Sequence, residues 1–191
     1  LARQEDEGEN PGLGLRDIVY CLADPQIFST QLRAILPDAR HAKAMILIPM
    51  LSSYAELHQA VAAVDRAKEE LKAEGVKFDP FVPVGGMIEI PAAAIALPMF
   101  IRKLDFLSIG TNDLIQYTIG IDRRNKDVAY LYKPLHLAVL RLVRAVSDAG
   151  LAANVPVAMC GEMAGDPMHA LVLLGLGVTE LSMNGPSIPL V

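Results

Sequence analysis

Short apolar runs rich in β-branched residues alternate along the chain with longer segments in which apolar side chains recur every three or four positions. That alternation predicts repeated βα units around a parallel sheet. Six runs read as strands: Gly14 to Ile18, Ala44 to Ile48, Phe81 to Glu89 with an irregular start, Phe106 to Gly110, Pro156 to Met159 and Glu180 to Ser182. The clearest helix lies between the second and third runs. There Ser53, with Glu56 three positions on, makes a capping box; Leu57, Val61, Val64 and Leu71 keep helical spacing, and Gly75 is a natural stop. Another helix is signalled by Pro134, carries Val139, Leu140, Val143 and Val146, and is expected to end near Gly150. A shorter one follows Asp166 and Pro167. The segment from Pro91 to Leu104 also has helical character, which Pro98 should kink or split.

Composition narrows the setting of these elements. A chain of 191 residues, 52% of them hydrophobic, can bury one sizeable core, so one domain or most of one is expected. The first ten residues are polar and acidic and are expected to be loose, leaving residues 11–191 for the domain. A net charge of −5 with no basic stripe argues against a nucleic-acid partner. Cys21 and Cys160, the only cysteines, form no disulfide framework, so a reducing cytoplasm is the expected compartment. No secretory signal and no apolar run of about 18 to 20 residues is present, so membrane insertion is not expected.

Three strands end abruptly in polar, Gly-containing sequence: VGGMIEIP at Glu89, FLSIGTNDL at Asn112 and Asp113, and VAMCGEMAGDP at Cys160 and Glu162. In a parallel barrel all strand C-termini lie at one face, so these groups converge. Two carboxylates meeting there repel unless a cation joins them, and Mg²⁺ takes one or two protein carboxylates plus substrate oxygens. The plainer alternative pairs Glu89 with a rim lysine or arginine and has Asp113 cap the next helix. Asn112, after Gly110 and Thr111, can donate an amide hydrogen bond to an anion. Arg123 can clamp phosphate or carboxylate with its planar fork, although Arg124 competes for that role and either can be an ordinary loop arginine. Arg16, ending the first predicted strand, is a further anion ligand unless it merely pairs with Asp17. Cys160 is either an acid at the barrel mouth or an inert core thiol. His136 and His169 read as structural or exposed.

VGGMIEIPAAA, DFLSIGTNDLIQYTIGIDR and VPVAMCGEMAGDP, in this order and spacing, resemble the C-terminal phosphoenolpyruvate (PEP)-binding domain shared by enzyme I, pyruvate phosphate dikinase and PEP synthase. The resemblance runs from about Pro11 to Ser187. NPGLGLRDI, TQLRAIL, GTNDLIQYT and CGEMAGDP favour enzyme I of a sugar or nitrogen phosphotransferase system over the dikinase, with a dikinase or synthase domain as the alternative enzyme. A non-catalytic module that senses PEP or dimerises is the rival of a different kind.

The resemblance implies an α/β fold of the TIM-type (βα)₈ barrel, incomplete here, with about six βα units and with the first two strands and the last helix outside this chain. It implies that Glu89 and Asp113 hold Mg²⁺, that Arg16, Asn112 and Arg123 hold PEP, and that Cys160 protonates the enolate as pyruvate forms. The phosphorylated histidine would sit in a separate N-terminal domain that passes phosphate to a carrier protein. A homodimer is also implied, and this part alone is expected to be inactive. Pro98, Lys133 and Leu137 depart from the family pattern, which bears on local helix geometry.

Overall fold

The computed structural model describes residues 11–191; the expected loose segment 1–10 lies outside the described residues. Five strands form one parallel sheet in chain order: β1 (Ile46–Ile48), β2 (Val84–Ile88), β3 (Phe106–Gly110), β4 (Val157–Cys160) and β5 (Glu180–Leu181). Around them lie seven α-helices among the described residues: α1 (Asp17–Ala23), α2 (Pro25–Asp38), α3 (Tyr54–Ala73), α4 (Pro91–Ala96), α5 (Thr111–Ile119), α6 (Leu137–Ala153) and α7 (Pro167–Gly175). Every strand is joined to the next through at least one helix, so all strand C-termini share one edge. The register places Gly110 beside Cys160 across β3 and β4. This is a mixed α/β fold. No helix among the described residues is long and apolar enough to cross a membrane.

The expected first strand at Gly14 to Ile18 is absent, which leaves five strands among the described residues where six were expected. Gly14 and Leu15 form a bend and α1 begins at Asp17. Ile18, Cys21 and Leu22 follow helical spacing; Ile18 is 1% exposed, and the other two pack against the core. Burial of that stripe outweighs the β preference of the Ile18-Val19 pair. Arg16 is therefore the N-cap of a helix and not the end of a strand.

The capping box is present as expected: the Ser53 hydroxyl accepts from the Glu56 N–H, and the Glu56 carboxylate accepts from the Ser53 N–H. Gly75 sits just past α3 at φ +72°, a left-handed stop that favours glycine. Asp166 caps α7 by accepting from the N–H groups of Met168 and His169. Pro98 splits its segment into α4 and two short 3₁₀ turns, Leu97–Met99 and Ile101–Lys103. Helix α6 starts three residues after Pro134, because the His136 ring caps it by accepting from the Ala138 N–H at 3.2 Å. It also outruns Gly150: a Cβ there would fall 2.2 Å from Val157 Cγ2, so that glycine serves close helix-to-strand packing, and Asn154 ends the helix at φ +55°.

Two glycines in the middle of β2 follow the same logic. A Cβ on Gly85 would lie 2.4 Å from the Phe106 ring of β3, and one on Gly86 would lie 2.8 Å from Leu104 and 2.9 Å from Leu51. Large neighbours thus fill the space on both faces of this strand, and the core runs on through Ile88, Leu107, Ile109 and Met159, all fully buried.

Candidate active site

Beyond the C-terminal edge of the sheet the chain turns polar. Glu89 directly follows β2, Asn112 and Asp113 lie in the first turn of α5 directly after β3, and Cys160 closes β4. Arg16 joins them from the start of α1. Its Nη2 lies 3.6 Å from Asp113 Oδ1 and 3.3 Å from Met50 Sδ, while its Nε bonds Asp17 Oδ2 at 2.9 Å. Pairing with Asp17, the plainer reading of Arg16, is thus real, and the same guanidinium also reaches Asp113.

Glu89 is 5% exposed. Its Oε1 accepts from the Met50 N–H at 2.7 Å, and its Oε2 lies over Gly110, where an added Cβ would sit 2.7 Å away. Burial pushes its carboxyl up to about 7; the Met50 N–H opposes this, Asp113 and Asp17 add to it, and Arg16 lowers it. Asp17 and Met50, both touching this cluster, adopt positive φ values of 50° and 53°. Strained backbone of this kind persists where the surroundings demand it, as at functional sites.

The raised Glu89 carboxyl has a measurable consequence. A folded-state value above the unfolded 4.5 favours the folded state fully below pH 4.5, and that contribution is lost as pH rises through about 7. Unfolding in urea at pH 4.5 and pH 8 should show roughly 3 kcal/mol lost through this group. Glu89→Gln should flatten that pH dependence; an unchanged profile would place the carboxyl in solvent.

Asn112 and Arg123 are joined through the loop after β4. The Glu162 N–H donates to Asn112 Oδ1 at 3.1 Å, which turns the amide nitrogen of Asn112 the other way, and the Glu162 carboxylate holds Arg123 Nη1 at 2.8 Å. Arg123 uses one guanidinium nitrogen in this pair, leaving the rest of its fork without a partner among the described residues. Arg124 is exposed and joins no ion pair among the described residues. Tyr132 covers the same corner: its hydroxyl donates to the Asn112 carbonyl at 3.2 Å, and burial pushes it up to about 12.

Cys160 is partly buried, and Ser108 lies beside it with its Oγ 3.5 Å from the thiol sulfur. Thr111 Oγ1 donates to the Cys160 carbonyl at 3.1 Å, tying β4 to the start of α5. A cleft of about 460 Å³ opens here, lined by Asn112, Cys160, Glu162 and Ser182 among others. Sequence reasoning passed over Ser108, whose signal was a lone hydroxyl inside an apolar strand. His136 is exposed and caps α6, and His169 lies 3.5 Å from Asp166, so neither joins this site.

No group of three or more His, Cys, Asp or Glu side chains gathers for a metal among the described residues. Two carboxylates are nevertheless what Mg²⁺ asks of a protein when substrate and water supply its other oxygens. Glu89 Oε2 has no hydrogen-bond donor among the described residues, and the like charge of Asp113 nearby suits a shared cation.

Strand order and the polar rim at the strand ends define a parallel α/β protein whose site is built from loops at one edge of the sheet. Its fold is similar to that of a citrate lyase from Burkholderia xenovorans LB400, with a TM-score of 0.64 at 22% identity, covering 84% of this chain and 51% of that one. The chain belongs to the family described as PEP-utilising enzyme, PEP-binding domain, whose pattern matches residues 2–191. It is 52% identical over 175 residues to a phosphoenolpyruvate-protein phosphotransferase of Cupriavidus necator. Identity is 48% to a relative of the same name from Geobacillus stearothermophilus and 45% to one from Bacillus subtilis, each over 179 residues. These alignments take in 92–94% of this chain, which spans 30–31% of the length of these relatives.

Proposed function

We propose that this chain is the PEP-binding part of a phosphoenolpyruvate-protein phosphotransferase. The phosphorus–oxygen bond of PEP breaks, phosphate passes to a histidine nitrogen in a separate domain, and the enolate left behind takes a proton at its methylene carbon to give pyruvate. The observation that carries this reading is the meeting of buried Glu89, Asp113 and Arg16 at the edge where the strands end. The names of the relatives support it.

Phosphoryl transfer asks the protein chiefly for positioning and charge neutralisation. Arg16 and the free part of the Arg123 fork would hold phosphate and carboxylate, with the Asn112 amide donating between them. Glu89 and Asp113 would hold Mg²⁺, which when bound neutralises charge on the transferred group. Cys160, with Ser108 against its sulfur, would supply the proton. The five parallel strands would belong to a (βα)₈ barrel, consistent with an apolar cleft of about 320 Å³ that Ile18, Phe28, Ile46 and Ile48 line beside edge strand β1. A homodimer and a downstream carrier protein complete the reading.

Cys160→Ala separates binding from chemistry. In the full-length phosphotransferase, calorimetry should show PEP affinity within about threefold of wild type, while pyruvate release falls by roughly 10²- to 10⁴-fold, the range for losing a positioned acid. Undiminished pyruvate release would remove Cys160 from the mechanism.

A further inference from the structure

Helix α5 carries Asn112 and Asp113 in its first turn, and one turn later, on the same face, it carries Gln116 and Tyr117. Neither side chain of this second pair has a place in the proposed reaction. The Tyr117 hydroxyl donates to the Gly12 carbonyl, which also accepts from Arg16 Nη1 at 3.4 Å. The segment bearing Arg16 is thus tied to α5 through one carbonyl oxygen. Gln116 reaches the other arginine: its Oε1 accepts from the Arg123 N–H at 3.3 Å. Its amide nitrogen faces Gly12, where a Cβ would stand 3.5 Å from Nε2 and 3.6 Å from the Tyr117 hydroxyl. The carboxamide of Gln116 therefore spans the gap between the two arginine-bearing segments.

We propose that Gln116 and Tyr117 are positioning residues that set Arg16 and Arg123 at a fixed spacing from each other and from Asn112 and Asp113. The inference rests on the PEP-binding reading above and extends it to residues that need not touch the substrate. The physical reason is the reach of arginine: a long side chain on a loop grips a small trianion well only if its backbone is held, since ordering it during binding costs affinity. Holding both loops from the helix that also carries the carboxylates makes the spacing of all four groups a property of α5. Tyr117 is a donor at neutral pH as any tyrosine is, and burial moves its hydroxyl further from ionisation.

The test uses the full-length phosphotransferase with Mg²⁺ present and PEP as the titrant. Tyr117→Phe removes only the hydroxyl, and Gln116→Met keeps volume while removing both polar ends. Each should weaken PEP binding by about 3- to 10-fold, the effect of one neutral hydrogen bond. KM should rise in step while kcat stays within about twofold and the melting temperature within a few degrees. Arg16→Lys should weaken binding on its own; adding Tyr117→Phe to it should cost less than about a further twofold, because the hydroxyl acts through that arginine. Multiplying effects in the double variant, or a fall in melting temperature with KM unchanged, would overturn the inference. If Arg16→Lys weakens binding and Tyr117→Phe does not, the inference falls and the PEP-binding reading stands. If wild type itself fails to bind PEP, both fall.

Discussion

Glu89→Gln should abolish the Mg²⁺-dependent PEP binding proposed above, a loss of more than about a hundredfold in the full-length phosphotransferase, because a carboxylate sharing a divalent cation with substrate would contribute several kcal/mol. The substitution is sterically quiet. Glutamine keeps the shape of the side chain and an oxygen that can accept the Met50 N–H, so the cluster around Met50 and Gly110 stays packed. It also removes a buried charge that Asp113 and Asp17 make unfavourable. The variant should therefore be at least as stable as wild type near pH 8 and yet fail to bind. That combination separates a ligand from a structural residue, since losing a structural carboxylate lowers stability and binding together. Titration calorimetry with PEP, with and without Mg²⁺, decides the matter: equal affinities for wild type and variant would remove Glu89 from the cation site.

Gly161→Ala should be the most damaging single-atom change at the mouth. Gly161 has φ +97° and ψ −179°, a region essentially closed to residues with a side chain. Its added carbon would lie 2.3 Å from Thr111 Oγ1 and 3.1 Å from Asn112 Oδ1. Those atoms hold the Cys160 carbonyl and the Glu162 N–H, so the clash cannot be relieved without unfastening β4 from α5. A cost of about 2–4 kcal/mol is expected from strain and overpacking together. The readout is a lower unfolding midpoint with loss of turnover; a wild-type melting curve would show that the loop has another conformation open to it.

Much of this arrangement is written locally in the chain. β3 and β4 could be read because each apolar run stops at a glycine or cysteine, and α3 because its capping box and apolar stripe agree. Glu89, Asn112, Asp113 and Cys160 were legible for a related reason: position at the end of a parallel strand carries a residue to the rim whatever the loops do. The failures have tertiary causes. The Gly14 to Ile18 run passes for a strand until it is known that Ile18, Cys21 and Leu22 face the core together. Helix α2, which did not stand out, contains Pro37 in its last turn and buries only Phe28, Leu32 and Leu36. Gly150 resembles a helix stop because its partner, Val157, is unknown from sequence. Ser108, Gln116 and Tyr117 act through neighbours 52, 7 and 105 residues away, and nothing in their own surroundings announces those partners.

The bare stretch of β2 bears on how sequences of this kind can diverge. Gly85 lies opposite Phe106 in the register, with the ring occupying the place where a side chain of its own would go. The two positions amount to a single compartment divided unequally, so bulk gained on one strand must be surrendered on the other. Alanine or valine at 85 therefore meets the Phe106 ring unless that ring swings aside or a smaller residue stands at 106, which couples the two positions.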